Sequence, residues 1–153
     1  MNIVVLVKQV PAISDIEIAK DNNLVRVGAP SMLNPVDKHA IEAAVAVKDA
    51  IGGTVTILTM GNALAGEMMR DGIAIGADKG VLVSDERMAG SDTLATGLVL
   101  AKAIEKLGGA DLVFTGQALD GWRYGADPAG YCPAFGLWPS FPMPIRSVSM
   151  ARR

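Results

Sequence analysis

The stretch Asp111–Gly121, D-L-V-F-T-G-Q-A-L-D-G, constrains what this chain can fold into more than any other. Leu112, Val113 and Phe114 form an unbroken apolar run, which suits a strand buried on both faces of a parallel sheet. The run passes straight into Thr115, Gly116, Gln117, Ala118, Leu119, Asp120 and Gly121, a loop with backbone amides, a hydroxyl, a side-chain amide and a carboxylate. Open α/β sheets bind ligands at strand ends of this kind. Gly116 and Asp120 read equally well as plain turn residues.

The residues before this stretch read as the scaffold that holds it. Ile3–Val7 is an aliphatic run of the type that forms a buried strand, and Lys8-Gln9-Val10-Pro11 follows as a polar exit in which Pro11 stops regular structure. Asp15–Lys20 and Leu24–Val27 alternate around Asp21-Asn22-Asn23, which predicts a hairpin outside the main sheet. Asn34 caps a helix with Pro35 at its first position, and Gly52-Gly53 ends it. Thr54–Met60 is a second core strand, Ala63–Ile75 a second helix capped by Asn62, and Lys79–Val83 a third strand. Ser91 or Asp92 caps a third helix, Thr93–Leu107, expected to turn Leu94, Leu98, Ala101 and Leu107 toward the sheet. Strands alternating with helices imply parallel pairing through right-handed crossovers. The fold class is therefore α/β, an open, mostly parallel, Rossmann-like sheet with a small N-terminal hairpin excursion and an irregular C-terminal tail.

Composition narrows the function classes. At 153 residues, half of them apolar, the chain supports one domain with a real core. Its net charge of -2, without clustered Lys or Arg before the tail, gives no footprint for nucleic acid. No run approaches the ~20 apolar residues of a membrane span, and Met1-Asn2-Ile3 lacks the basic flank of a signal peptide, so a cytoplasmic protein is expected. The single Cys132 excludes an internal disulfide.

No dinucleotide fingerprint, Walker loop, nucleophile elbow or metal-spaced Cys/His pair is present, so no catalytic side chain and no metal ligand is assigned. What remains is a set of polar groups at strand ends and helix starts: Lys8, Asn34, Asp37, Thr59, Gly61, Asn62, Thr115, Gly116, Gln117 and Asp120. These suit binding better than catalysis. The helix start at Asn62 would favour a phosphate, whereas Asp92 fills its own helix end with a carboxylate. Asn34-Pro35 is equally explained by capping alone, His39 reads as a solvated or partly packed side chain, and Met68-Met69 as packing.

These residues resemble the beta subunit of electron transfer flavoproteins. The matching segments are M-N-I-V-V-L-V-K-Q-V-P at 1–11, N-P-V-D-K-H-A-I-E-A-A-V at 34–45, T-M-G at 59–61, G-I-A-I-G-A-D-K-G at 72–80, A-G-S-D-T-L-A-T at 89–96, and D-L-V-F-T-G-Q-A-L-D-G at 111–121. The resemblance implies an adenine-nucleotide-binding type of α/β fold, paired with an alpha subunit and relaying electrons between dehydrogenases and acceptors. It implies bound AMP in the usual members and a second flavin in the bifurcating ones. The A-G-S-D-T-L-A-T stretch is more similar to the bifurcating or nitrogen-fixation-linked type, which favours FAD over AMP. Carried over by position, the implied cofactor contacts are Leu6, Asn34, Pro35, Val36, Asp37, Met60, Thr115, Gly116, Gln117, Ala118, Leu119, Asp120 and Gly121. The competing class is a regulatory adenine-nucleotide module resembling universal stress proteins, whose usual phosphate loop is absent here.

At Trp122 the pattern changes. The family continues Asp-Gly-Asp-Thr-Ala-Gln-Val-Gly-Pro or similar, whereas this chain continues Trp122-Arg123-Tyr124-Gly125. Residues 122–153 hold both tryptophans, the cysteine and four arginines but no lysine or glutamate, without helical or strand periodicity. Back-translated from Trp122 and read one base later, the chain can spell Gly-Asp-Thr-Ala-Gln-Ile-Arg-Pro-Gly. The expectation is an incomplete nucleotide-binding domain over 1–121 and a frameshifted, poorly ordered tail over 122–153, the chain being truncated relative to an ordinary family member or even a non-functional product.

Overall fold

The computed structural model describes residues 1–11, 31–116, 137–143 and 146–151. Asn2–Leu6 (β1) lies at the centre, with Ile3 to Leu6 all buried. Its side chains alternate between two cores: Ile3 and Val5, joined by Val7, enter one, while Val4 and Leu6 enter the other. A strand apolar at every position needs both faces covered, and this one has them covered.

Thr54–Met60 (β4) and Leu112–Gly116 (β6) pair in parallel on either side of β1, and Lys79–Val83 (β5) pairs in parallel with the outer side of β4. Pro35–Ile51 (α1) and Ala65–Ile75 (α2) lie over one face, where Ala40, Ile41, Ala44, Met68 and Met69 pack with Ile57 and Phe114. Thr93–Lys106 (α3) covers the other, its Leu100 and Ile104 meeting Leu58 and Val113. Beyond β6, Arg146–Ala151 (β8) pairs antiparallel with it, and Leu137–Met143 (β7) pairs antiparallel with β8. The order across the sheet is β5-β4-β1-β6-β8-β7. The outermost strand carries Pro139 and Pro142, which have no N–H to offer a further partner.

Several boundaries depart from the sequence reading. The polar exit expected at Lys8–Pro11 contains a short strand: Gln9–Pro11 (β2) pairs antiparallel with Ser31–Leu33 (β3), and a proline at the last position of so short a ladder forfeits a single donor. The predicted hairpin within 15–27 and the boundary at Gly121 lie outside the described residues. Helix α2 starts at Ala65 rather than Ala63, since Asn62 Oδ1 accepts from the Leu64 N–H at 3.1 Å and holds the preceding residues in a turn. Strand β6 runs on through Thr115 and Gly116.

The orientation of α3 is the main correction. Leu94, Leu98 and Leu107 were expected against the sheet but are 69%, 54% and 43% exposed. Gly97, Leu100, Ala101 and Ile104 face inward instead. Two of these are small, which lets the helix axis come close while Leu100 and Ile104 fill the space above β1, β4 and β6. On the opposite face Gly72 serves a similar end, for a Cβ there would come within 2.7 Å of Ile57 Cδ1.

Equilibrium urea unfolding checks this orientation. Leu100→Ala is expected to lower the unfolding free energy by about 2–4 kcal/mol, and Leu98→Ala by less than about 0.5 kcal/mol. The reverse ranking would show that α3 is turned the other way.

Candidate functional site

The carboxyl ends of β1, β4 and β6 point the same way because the three strands are parallel. The chain leaves β1 toward β4 by way of α1 on one face, and reaches β6 by way of α3 on the other. Strand order therefore reverses between β1 and β6, and the crevice outside their carboxyl ends is the topological switch point. Leu6 and Thr115 stand side by side there in the register of the sheet. Met60 ends β4, half-buried, opposite Val83 of β5, and Thr59 before it is buried.

The start of α1 closes over this end of the sheet. Asn34 Oδ1 accepts from the Val36 N–H at 3.4 Å and Pro35 occupies the first helical position, as capping predicts. The Asn34 N–H also donates to the Lys8 carbonyl at 3.1 Å, and Asp37 Oδ2 accepts the Lys8 N–H at 2.8 Å. The backbone of Lys8, just past β1, is thus held at both its N–H and its C=O by the first turn of α1. The other carboxylate oxygen of Asp37, Oδ1, lies where a Cβ on Gly116 would have to be. A glycine at the end of β6 is what lets that strand approach the helix so closely.

Asp37 is 4% exposed. Burial pushes its carboxyl up from the ordinary 3.8 to about 6, because the charged form loses its hydration. The Lys8 N–H, the Lys8 charge and the Asn34 side chain pull in the other direction without compensating in full. His39, two residues on, is exposed and faces Glu42 at 3.4 Å.

Of the thirteen cofactor contacts implied by sequence, Leu6, Asn34, Pro35, Val36, Asp37, Met60, Thr115 and Gly116 are described and belong to this end of the sheet. Gln117, Ala118, Leu119, Asp120 and Gly121 lie outside the described residues. The start of α2 is a poorer anion site than the sequence suggested. The N–H groups of Leu64, Ala65, Gly66 and Glu67 already have acceptors, in Asn62 Oδ1 and the carbonyls of Asn62, Ala63 and Leu64. The start of α3 is filled by its own Asp92, which accepts the Ala95 N–H at 2.7 Å. Sequence reasoning singled out Lys8 and Asp37 but not the hydrogen bond between the Lys8 N–H and the Asp37 carboxylate. The signal was an acid three residues after an Asn cap, a spacing that sends a carboxylate back over the helix start.

Among the described residues no three His, Cys, Asp or Glu side chains gather as a metal site, and no helix is long and apolar enough to cross a membrane. Fold and crevice thus define an open, doubly wound α/β protein with its candidate site at the switch point. Comparison with known proteins narrows the class. The electron transfer flavoprotein domain family matches residues 21–131. Protein FixA of Sinorhizobium fredii is 46% identical over 127 residues, covering 79% of this chain and 45% of that protein. The electron transfer flavoprotein subunit beta of Thermoanaerobacterium thermosaccharolyticum is 46% identical, covering 79% and 47%. Subunit CarD of the caffeyl-CoA reductase-Etf complex of Acetobacterium woodii is also 46% identical over the same shares. The chain belongs to the electron transfer flavoprotein family, on the branch of the beta subunits and FixA proteins. It spans about half the length of these curated relatives.

The titration of Asp37 gives a signed prediction. Its carboxyl holds a proton up to about 6 in the fold but only to 3.8 in the unfolded chain, so the folded state binds more protons between those values. Stability from this group is present at low pH and is lost as pH rises through that window, by on the order of 3 kcal/mol. Thermal unfolding of wild type and Asp37→Asn from pH 4 to pH 7.5 isolates it. The variant should gain on wild type as pH rises, and parallel curves would refute the assignment.

Proposed function

We propose that this chain binds an adenine nucleotide, FAD in preference to AMP, in the crevice between the carboxyl ends of β1 and β6. In this reading it works as the beta-type half of a heterodimer with an electron transfer flavoprotein alpha subunit, relaying electrons from dehydrogenases to acceptors. The observation that carries the reading is the meeting of Leu6, Thr115, Gly116 and the first turn of α1 at the switch point of a chain from this family. The residues present fit such a ligand. Half-buried Met60 offers apolar surface for a flat ring, Thr115 a hydroxyl, and Gly116 a strand end that lets the start of α1 close beside the crevice. The buried Asp37 carboxylate disfavours a phosphate directly beside it and so orients the nucleotide with its phosphates away from the α1 start.

FAD rather than AMP is favoured by the A-G-S-D-T-L-A-T segment at 89–96, the stretch that resembles the bifurcating or nitrogen-fixation-linked type. When bound, the flavin supplies the electron chemistry. The chain's own residues orient it, cover it and set its access to water, and none is required as acid or base.

Co-expression with an alpha subunit from a FixA-type relative tests the proposal. A yellow heterodimer that releases more FAD on denaturation than its alpha subunit alone carries is the expected outcome. Release of AMP instead would keep the site and replace the cofactor. A colourless, nucleotide-free chain that does not associate would remove the reading.

A further inference from the structure

We propose that Asp37 is a positioning residue for the switch-point crevice, acting through the Lys8 peptide and Gly116 rather than by touching the ligand. The inference rests on the nucleotide reading above for its binding arm and on geometry alone for its structural arm. Three observations converge on the same carboxylate. Oδ2 accepts the Lys8 N–H at 2.8 Å, across 29 residues of sequence. Oδ1 fills the place that a side chain at Gly116 would take. The whole group is 4% exposed, so neither oxygen is presented to a ligand in the crevice.

The arrangement sets a distance. The exit of β1 and the end of β6 form the two lips of the crevice, and Asp37 is in contact with both. The Lys8 carbonyl is bonded in turn by the Asn34 N–H, so the β1 lip can neither swing nor slide while α1 keeps its first turn. Removing the carboxylate leaves the half-buried Lys8 N–H without its acceptor and opens a gap beside Gly116. Adding a side chain at 116 pushes the carboxylate off the Lys8 N–H from the other side. Both changes should move the lips, the first from a side chain that the crevice does not expose and the second from the β6 lip itself.

The full chain, prepared with its alpha-type partner, is compared with D37N, D37A and G116A. FAD affinity is read by fluorescence quenching at a temperature where circular dichroism shows each variant folded, and Lys8 amide exchange is read on the FAD-free protein. D37A and G116A are expected to bind FAD about 10-fold or more weakly, the cost of one half-buried donor left unmet, whereas D37N, whose amide oxygen still accepts the Lys8 N–H, loses far less. Lys8 exchange should be about 10-fold faster in D37A and G116A and close to wild type in D37N. Folded D37A that binds FAD as wild type does, or an unchanged Lys8 exchange rate, would overturn the proposal. Where D37A does not fold, Lys8 amide exchange in FAD-free G116A against D37N gives the same decision, because that readout involves no ligand contact. Should wild type bind neither FAD nor AMP, the nucleotide reading has failed, and Lys8 exchange still decides the positioning role.

Discussion

Everything in this fold depends on β1 being apolar at every position. Because neighbouring side chains on a strand point to opposite faces, Ile3 and Val5 demand cover on one side while Val4 and Leu6 demand it on the other. A single layer of helices cannot meet both demands. The chain meets them by sending α1 and α2 over one face and α3 over the other, and that change of face reverses the strand order and opens a crevice at the carboxyl ends of β1 and β6. The site is thus a consequence of burying one strand twice.

Asp37 runs against the ordinary economy of such a core. A carboxyl that is 4% exposed and titrates near 6 is ionised at neutral pH at a cost to stability. An amide or a hydrophobic side chain would remove that cost. What the acid supplies is a short, charge-assisted acceptor for the Lys8 N–H at a point where the sheet end, the helix start and Gly116 all meet. Local expense at a place that shapes a crevice is the pattern found where function and stability compete. Lys48 and Asp78, by contrast, clamp the amino end of β4 at the surface, where Asp78 also accepts the Val55 N–H, and its carboxyl is held below the usual range by that bond and by Lys48.

These features stand in a chain of the electron transfer flavoprotein family. The chain spans about half the length of the curated relatives it matches. Strands β7 and β8 close the β6 side by backbone pairing in a segment whose sequence shows no period. Backbone pairing of that kind needs only N–H and C=O groups in line, so it leaves little trace in the side-chain pattern.

The sequence by itself determined the parallel core strands and the caps of α1 and α3, because these are local. An apolar run, an Asn-Pro pair or an Asp before a helix acts on residues within one or two turns, and β4, β5, α1 and the Asp92 cap stand where the residues placed them. Only the tertiary structure decided which face of α3 turns inward, since Leu94-Leu98 and Leu100-Ile104 are equally apolar stripes and only the closer approach allowed by Gly97 and Ala101 separates them. It likewise decided the partner of Asp37. That carboxylate could have capped its own helix, and it reaches Lys8 instead because β1 and β6 bring two distant backbones within its length.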